Sequence, residues 1–282
     1  MKILTFDIEE WFHILDNEST KTEKNWNAYE ERIYANMEKI FNLLENSNHK
    51  ATFFIVGWIA SRYPDIVKKI DSLGYEIGSH TNMHQLIYNQ SPDDFSIDLK
   101  KSINILESIT GKKVKYFRAP GFSVTEKNKW VFEVLASNGI THDCSIFPAG
   151  RSHGGFPSYG YSDPSIIKFN GIEIKEFPIN TYKLFIFDTI FSGGGYFRVL
   201  PYSIIKNLTS KSEYVMTYFH PRDFDANQPI IKELNYLRKF KSYVGLRTCY
   251  NKLDKYLNDF TFHDLNYADS KIDWDSVKII EI

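Results

Sequence analysis

Two histidines spaced four residues apart suggest chemistry more directly than any other part of this sequence. His80 and His84 lie in the run Ser-His-Thr-Asn-Met-His, which begins at Ser79. On a helical turn, residues four apart leave the same face, so both rings could bind one transition metal with room for a carboxylate and a water. Two surface histidines can share this spacing by chance, so a third ligand elsewhere in the chain has to support the metal.

The segments that must position these histidines alternate between strand-like and helical patterns. Ala51–Val56 is rich in β-branched and aromatic residues and predicts a buried strand, and Tyr75–Gly78 predicts the strand that precedes His80. Helical patterns follow each strand, at Pro64–Leu73 and in the segment that Ser91 can cap. This repeated strand–helix pattern predicts a parallel sheet or barrel.

Polar residues also stand at the ends of other strand-like runs. The first run ends at Asp7, Val114–Phe117 ends at Arg118, and Tyr214–Phe219 ends at His220. In a parallel α/β fold the carboxyl ends of the strands meet on one rim, where active sites form. A carboxylate, an arginine and a further histidine on the same rim as the histidine pair therefore predict a catalytic site rather than isolated solvated charges.

These strand ends resemble the motifs of the polysaccharide deacetylases of carbohydrate esterase family four, which include the nodulation chitooligosaccharide deacetylases. The matching runs are Thr5-Phe6-Asp7, His80-Thr81-Asn82-Met83-His84, Arg118-Ala119-Pro120 and Tyr218-Phe219-His220. The resemblance covers about residues 1–225. The runs at residues 7–13 and 193–202 are similar to a subgroup found with bacterial surface-polysaccharide biosynthesis.

The resemblance implies an α/β fold, a distorted (β/α) barrel of about seven strands. It implies a metal-dependent carbohydrate N-deacetylase, a hydrolase of non-peptide carbon–nitrogen bonds. The enzyme would remove an N-acetyl group from an amino sugar in a bacterial polysaccharide or its biosynthetic intermediate. Its substrate would be an N-acetylated sugar, an oligosaccharide, or a lipid- or nucleotide-linked sugar. The cofactor would be a divalent metal, with Zn²⁺ favoured by two imidazoles and a carboxylate.

The resemblance also implies roles for individual residues. His80 and His84 would bind the metal, and Asp7 would take a proton from the attacking water as general base. Arg118 would orient Asp7 and keep it ionised, because a nearby cation favours a carboxylate. His220 would protonate the departing amine, since an amide nitrogen leaves badly without a proton.

Two departures from the family pattern leave alternatives open. Relatives carry a second aspartate directly after the catalytic one, whereas Ile8 stands here and Glu9 and Glu10 follow. Residues 7 and 9 share one face of a strand, so Glu9 is the expected third metal ligand and Glu10 the alternative.

The second departure concerns the carboxylate that orients the catalytic histidine. The family's Asp-x-x-x-Trp motif has no tryptophan here, which leaves Asp143 as the candidate, in competition with Asp223. The backbone N–H of Gly121 could join the metal in stabilising the oxyanion, and glycine there permits close approach.

Length and composition limit the number of domains. The 282 residues, 43% hydrophobic, suit one large α/β domain or two small ones, and the resemblance implies a single catalytic domain at 1–282. Its parts would be a barrel core at 1–225, with a loop and hairpin insertion at 150–195, and a mainly helical extension at 226–282.

The net charge of −1 gives no case for nucleic acid or an anionic membrane as partner. No apolar run approaches the roughly 20 residues that span a bilayer. Acidic residues interrupt the N-terminal segment where a signal peptide would be apolar, so a cytoplasmic location is expected.

Three other functions compete with deacetylation of sugars. A metal-dependent amidohydrolase could use the same residues on a small non-sugar amide or ureide. A non-catalytic carbohydrate-binding relative is a second alternative, although Asp7 and His220 are both present. A glycosidase would use paired carboxylates, but that chemistry needs no histidine pair.

Overall fold

The chain forms a curved, mostly parallel sheet covered by helices, as described by a computed structural model. The structure describes residues 1–15, 17–45, 47, 49–151, 154–184 and 187–282. The strands in these residues are β1 (Lys2–Ile3), β2 (Thr5–Ile8), β3 (Thr52–Ile55), β4 (Glu76–Ser79), β5 (Tyr116–Phe117), β6 (His142–Asp143), β7 (Ser165–Phe169), β8 (Ile172–Glu176), β9 (Tyr182–Leu184), β10 (Phe187–Thr189), β11 (Val215–Met216) and β12 (Lys278–Glu281). The α-helices are α1 (Glu23–Trp26), α2 (Ile33–Glu45), α3 (Gly57–Arg62), α4 (Pro64–Ser72), α5 (Pro92–Thr110), α6 (Val131–Ser137), α7 (Gly194–Val199), α8 (Tyr202–Lys211), α9 (Tyr236–Tyr243), α10 (Leu246–Asp259) and α11 (Leu265–Lys271).

The main sheet has the strand order β12-β7-β8-β6-β5-β4-β3-β2. Its pairs are parallel except for the β7–β8 hairpin. Beyond β2 the sheet continues through Phe219, whose carbonyl accepts a hydrogen bond from Asp7 N–H at 2.7 Å. The predicted α/β distorted barrel is confirmed. The main sheet has eight strands among the described residues, rather than about seven, because β12 adds beside β7.

Side chains alternate between two cores along the buried strands. Phe53 packs in the layer between sheet and helices, whereas Phe54 packs inside the barrel against Tyr116 and Cys144. This alternation follows from the two-residue period of a strand. On β2 the same period puts Phe6 in the outer layer and turns Asp7 toward the barrel interior.

Local sequence signals explain where the longest helix starts and stops. Ser91 Oγ accepts a hydrogen bond from Asp94 N–H at 3.1 Å, and Pro92 occupies the first turn of α5. The helix ends at Gly111, whose φ of 68° is a left-handed conformation that glycine adopts without strain. These signals set the ends of α5, which contacts the turn after β4 through Asp98.

The C-terminal segment is mainly helical and lies against the barrel. The backbone of His263 pairs with one edge of β1, where it donates to the Lys2 carbonyl and accepts from Leu4 N–H at 3.0 Å each. Helix α10 packs on the 3₁₀ helix Pro221–Phe224, which directly follows His220. Within the described residues, no helix combines the length and apolarity that a bilayer crossing requires.

A substitution inside the sheet tests this packing. A Cβ added at Gly78 would lie 2.7 Å from the Phe54 ring and 2.9 Å from the Tyr116 carbonyl, on both neighbouring strands. Gly78→Ala should therefore lower the free energy of unfolding by about 1–3 kcal/mol, the usual cost of overpacking, as measured by urea denaturation. Gly150→Ala, with no atom within 4 Å of the added Cβ, is the control. Equal stability of both variants would show that β3 and β5 can move away from β4, and it would contradict the close packing at Gly78.

Candidate metal centre and acid–base pair

Glu9, His80 and His84 meet at the carboxyl ends of β2 and β4. One ligand atom from each of the three side chains lies within 4.8 Å of the others, and His84 Nε2 is 2.6 Å from Glu9 Oε2. All three residues are buried. The structure thus brings the histidine pair together with the carboxylate that the sequence favours as third ligand.

The backbone between the two histidines is a loop, and the helical turn assumed for their spacing is absent. Thr81 and His84 have φ values of 65° and 51°, in the left-handed region. Two hydrogen bonds from α5 hold this loop, because Asp98 accepts from Asn82 N–H at 2.7 Å and from Met83 N–H at 3.1 Å. The rings converge through this strained loop, not through helical periodicity.

The donor set fits a divalent metal. His80 Nδ1 lies 2.7 Å from the Arg118 carbonyl, so it donates its proton there and leaves Nε2 free to bind a metal. Burial holds the pKa of His80 well below its usual value, so the ring is a neutral ligand. Burial would raise the pKa of Glu9, but the adjacent His84 outweighs burial and lowers it to about 2, so the carboxylate is ionised.

Glu10, the alternative third ligand, has a different set of partners. Its Oε1 accepts from the backbone N–H groups of Arg32 and Ile33 at 2.7 and 2.8 Å, and its Oε2 from Trp11 N–H at 3.0 Å. Glu10 therefore caps the N-terminus of α2, where a carboxylate is favourable. Of the two glutamates, only Glu9 stands beside the histidines.

Asp7 and Arg118 form a buried ion pair beside this cluster. Arg118 Nη1 donates to Asp7 Oδ1 at 2.8 Å and to Thr5 Oγ1 at 2.6 Å. The guanidinium also lies 4.3 Å from the centre of the Phe54 ring. Arg118 is fully buried, so the pair is shielded from solvent. The arginine thereby fixes one oxygen of Asp7 and leaves the other directed toward His220.

His220 lies opposite Asp7 and is held by Asp223. Its Nε2 is 3.9 Å from Asp7 Oδ2, and its Nδ1 is 3.0 Å from Asp223 Oδ2. Burial would lower the pKa of His220, but the hydrogen bond to Asp223 and the nearby carboxylates outweigh it and raise the pKa to about 9. At neutral pH the ring is therefore an imidazolium with one N–H on the side of Asp7.

Asp143 does not orient His220, which corrects the sequence-based expectation. It accepts a hydrogen bond from Ser145 Oγ at 2.5 Å, and Ser145 Oγ in turn accepts from Ala119 N–H at 2.8 Å. Burial raises the pKa of both Asp143 and its neighbour Glu176. Asp143 thus supports the turn that carries Arg118, and Asp223 is the partner of His220. The reason is proximity in sequence: a histidine followed three residues later by an aspartate closes a local capping contact.

Gly121 lies in the turn after Arg118, with a φ of 60° that favours glycine. Trp11 and Phe12 are buried and make edge contacts with each other, with ring centres 5.7 Å apart. Their rings belong to the core and offer no open face for a sugar.

Arg198 is a site residue that sequence reasoning missed. Its Nε lies 3.3 Å from Asp223 Oδ1, while its Nη1 and Nη2 donate to the carbonyls of Ser242 and Lys241 at 2.8 and 2.9 Å. Burial would raise the pKa of Asp223, but the charge of Arg198 and the bond to His220 outweigh it and lower the pKa. The available signal was an arginine directly after the Gly-Gly-Gly-Tyr-Phe run, although nothing local connects it with His220.

Two family models match this chain. Residues 18–142 match the family model for polysaccharide deacetylase, and residues 144–268 match a domain of unknown function, DUF3473. The resemblance to the polysaccharide deacetylases is therefore confirmed for residues 18–142. This segment contains His80, His84 and Arg118, whereas Asp7, Glu9 and His220 lie outside it.

Individual relatives point to the same family. A peptidoglycan-N-acetylglucosamine deacetylase of Bacillus cereus is 35% identical over 96 residues, 34% of this chain and 35% of the relative. Chitin deacetylase 1 of Saccharomyces cerevisiae is 28% identical over 106 residues, 37% of this chain and 35% of the relative. The matches thus span about a third of these relatives. A crystal structure from Mycobacterium smegmatis, provisionally named a polysaccharide deacetylase, shares the fold, with a TM-score of 0.66 at 15% identity over 98% of this chain and 91% of that one.

The protonation of His220 can be measured directly. Asp223→Asn should lower the pKa of His220 from about 9 by one unit or more, because the loss of an adjacent carboxylate disfavours the imidazolium. NMR titration of the ring C–H signal reports this change, and Asp143→Asn should leave it in place. Since folding raises this pKa, the protonated ring stabilises the fold fully below its unfolded pKa, near 6.5, and the contribution is lost as pH rises through about 9. An unchanged pKa in Asp223→Asn would remove Asp223 as the partner.

Metal binding tests the three-residue cluster. His84→Ala should weaken Zn²⁺ binding by more than the roughly 10–100-fold that loss of a supporting residue costs, because a ligand itself is removed. Competition with a fluorescent chelator measures the affinity. His263→Ala, whose ring stacks on Tyr267 at 3.8 Å outside the cluster, is the matched control. Full affinity in a His80→Ala, His84→Ala double variant would contradict the ligand assignment.

Proposed function

We propose that the chain is a metal-dependent hydrolase that removes an N-acetyl group from an amino sugar of a bacterial polysaccharide or its biosynthetic intermediate. The observation that supports it is one buried rim that holds three metal-binding side chains, an arginine-bound carboxylate and a carboxylate-bound histidine. The names of the relatives, which refer to peptidoglycan and chitin, support a sugar substrate over a small amide or ureide.

Glu9, His80 and His84 would hold the metal, and Zn²⁺ suits two imidazoles and one carboxylate. When bound, a divalent metal lowers the pKa of a water toward 7 and polarises a carbonyl oxygen. The attack on an amide needs this help because the amide carbonyl is a weak electrophile. Three protein ligands leave coordination positions open for water and substrate.

Asp7 is the proposed general base. Arg118 occupies Oδ1, so Oδ2 is the oxygen that accepts the proton of the attacking water. The guanidinium fixes the orientation of the carboxylate without competing for the second oxygen.

His220 is the proposed general acid. Its Nε2 lies 3.9 Å from Asp7 Oδ2, so the proton on Nε2 faces the base and both groups border the same reaction centre. A pKa of about 9 keeps this proton on the ring until an amine of comparable basicity forms. Asp223 and Arg198 position the ring, and the N–H of Gly121 would stabilise the oxyanion.

The carrier of the sugar is a further part of the proposal. A sugar unit carried on a lipid or a nucleotide fits an enzyme of surface-polysaccharide biosynthesis, in line with the subgroup resemblance of residues 7–13 and 193–202. This role and the cytoplasmic location are part of the proposal.

Acetate release tests the proposal. The metal-loaded protein should release acetate from N-acetylated sugars, sugar nucleotides or lipid-linked sugars, and a chelator should stop the release. Asp7→Asn should lower the rate by about 10²–10⁴-fold at normal metal content, because only the base is lost. Asp163→Asn, an exposed aspartate outside the site, is the control. Turnover that survives in Asp7→Asn would show that another group is the base, and no release from any of these sugars would favour a carbohydrate-binding role.

A further inference from the structure

The outer side of helix α9 presents apolar side chains to solvent. Tyr236, Leu237 and Phe240 are 92%, 63% and 60% exposed, and none of the α9 residues is buried. Positions 236, 237 and 240 lie on one side of a helix, since residues four apart are neighbours. We call these three side chains the α9 face. Ile230, 62% exposed, precedes the helix. A cluster of this kind marks an interaction surface.

The stretch of sequence that carries the α9 face has an excess of basic residues, in contrast to the chain as a whole. Residues 230–243 contain four basic residues and one acidic residue, whereas the full chain has a net charge of −1. Lys239 and Lys241 stand one residue before and after Phe240, so they leave the helix on opposite flanks of the α9 face. Apolar side chains bordered by lysines are the pattern of helices that lie in a membrane interface.

Helix α9 is also fixed to the candidate site. The carbonyls of Lys241 and Ser242 accept hydrogen bonds from Arg198, which pairs with Asp223. At the other end, Arg238 donates to the carbonyl of Leu15, shortly after the Glu9 segment. A surface that contacts the α9 face therefore lies close to the rim that holds His220.

We propose that the α9 face docks on an anionic lipid surface. Positive flanks complement anionic headgroups, and Tyr236 and Phe240 enter the boundary between headgroups and acyl chains. A second copy of the chain fits less well, because a two-fold contact would bring the same four basic residues of each copy together. Three side chains on two helical turns also fall short of the roughly 800 Å² per partner of a stable protein interface. The docking itself does not depend on the proposed function. Its use, which would be to reach sugars carried at a lipid surface, rests on that function.

Vesicle binding by the full chain tests the docking. The protein should sediment with phosphatidylcholine vesicles that contain about 30% phosphatidylglycerol and much less with phosphatidylcholine alone, because anionic lipid supplies the attraction. Raising NaCl from about 0.1 to about 0.5 M should reduce the bound fraction, since salt screens exposed charges. The double variant Leu237→Ser, Phe240→Ser should lower vesicle binding by about fivefold or more.

Ile97→Ser is the matched control, because Ile97 is 70% exposed on α5, away from α9. It should bind vesicles like the unchanged chain, and both variants should keep their thermal unfolding midpoint. Absence of binding to anionic vesicles, or equal binding by the double variant, would overturn the proposal. A dimer in light scattering that the double variant abolishes, without vesicle binding, would instead assign the α9 face to a second copy.

Acetate release from a soluble sugar separates this proposal from the proposed function. The double variant should keep the release rate while it loses vesicle binding, because the α9 face holds no residue of the site. A chain that binds vesicles but releases no acetate would leave the docking intact and reject only the deacetylation.

Discussion

The buried ion pair between Arg118 and Asp7 is the contact on which the rest of the site depends. Arg118 follows β5 and Asp7 lies on β2, with β4 and β3 between them. In a flat sheet these outer strands would lie about 14 Å apart, farther than one arginine side chain reaches, so the pair forms only because the sheet curves. Between the two strands, the guanidinium packs on the ring of Phe54, which lies on β3. Loss of one partner of such a buried pair costs about 3–5 kcal/mol, so the barrel and the site stabilise each other.

Two support networks reach the site from different parts of the chain. Asp143 and Ser145 hold the turn after Arg118 from within the barrel. Arg198 holds Asp223, and its remaining nitrogens bond to the carbonyls that end α9. The C-terminal segment therefore does more than cover the barrel, because its backbone positions the arginine that fixes the partner of His220.

Prediction from the sequence succeeded where the position of a residue follows from the local sequence pattern. The rim that gathers Asp7, Arg118 and His220 follows from the strand pattern, because the carboxyl ends of parallel strands meet there. As predicted, β5 ends directly before Arg118, whereas β2 extends to Ile8 and β11 already ends at Met216. Prediction failed for the backbone at His80–His84, since left-handed residues at Thr81 and His84 replace the assumed helical turn. Motif order also leaves Asp143 and Asp223 in competition for His220, because it does not measure distance, and the structure places Asp223 beside the ring.

The sequence by itself determined the strand–helix alternation, the rim and the residue types gathered on it, because these depend on periodicity and on the order of elements. Only the tertiary structure decided which glutamate joins the histidines and which aspartate holds His220. Glu9 and Glu10 are adjacent and chemically alike, and the choice between them rests on the N-terminus of α2, which binds Glu10 from 22 residues away. The α9 face is a result of the same kind: net charge averages over the whole chain, whereas folding decides which apolar and basic side chains stay on the surface together.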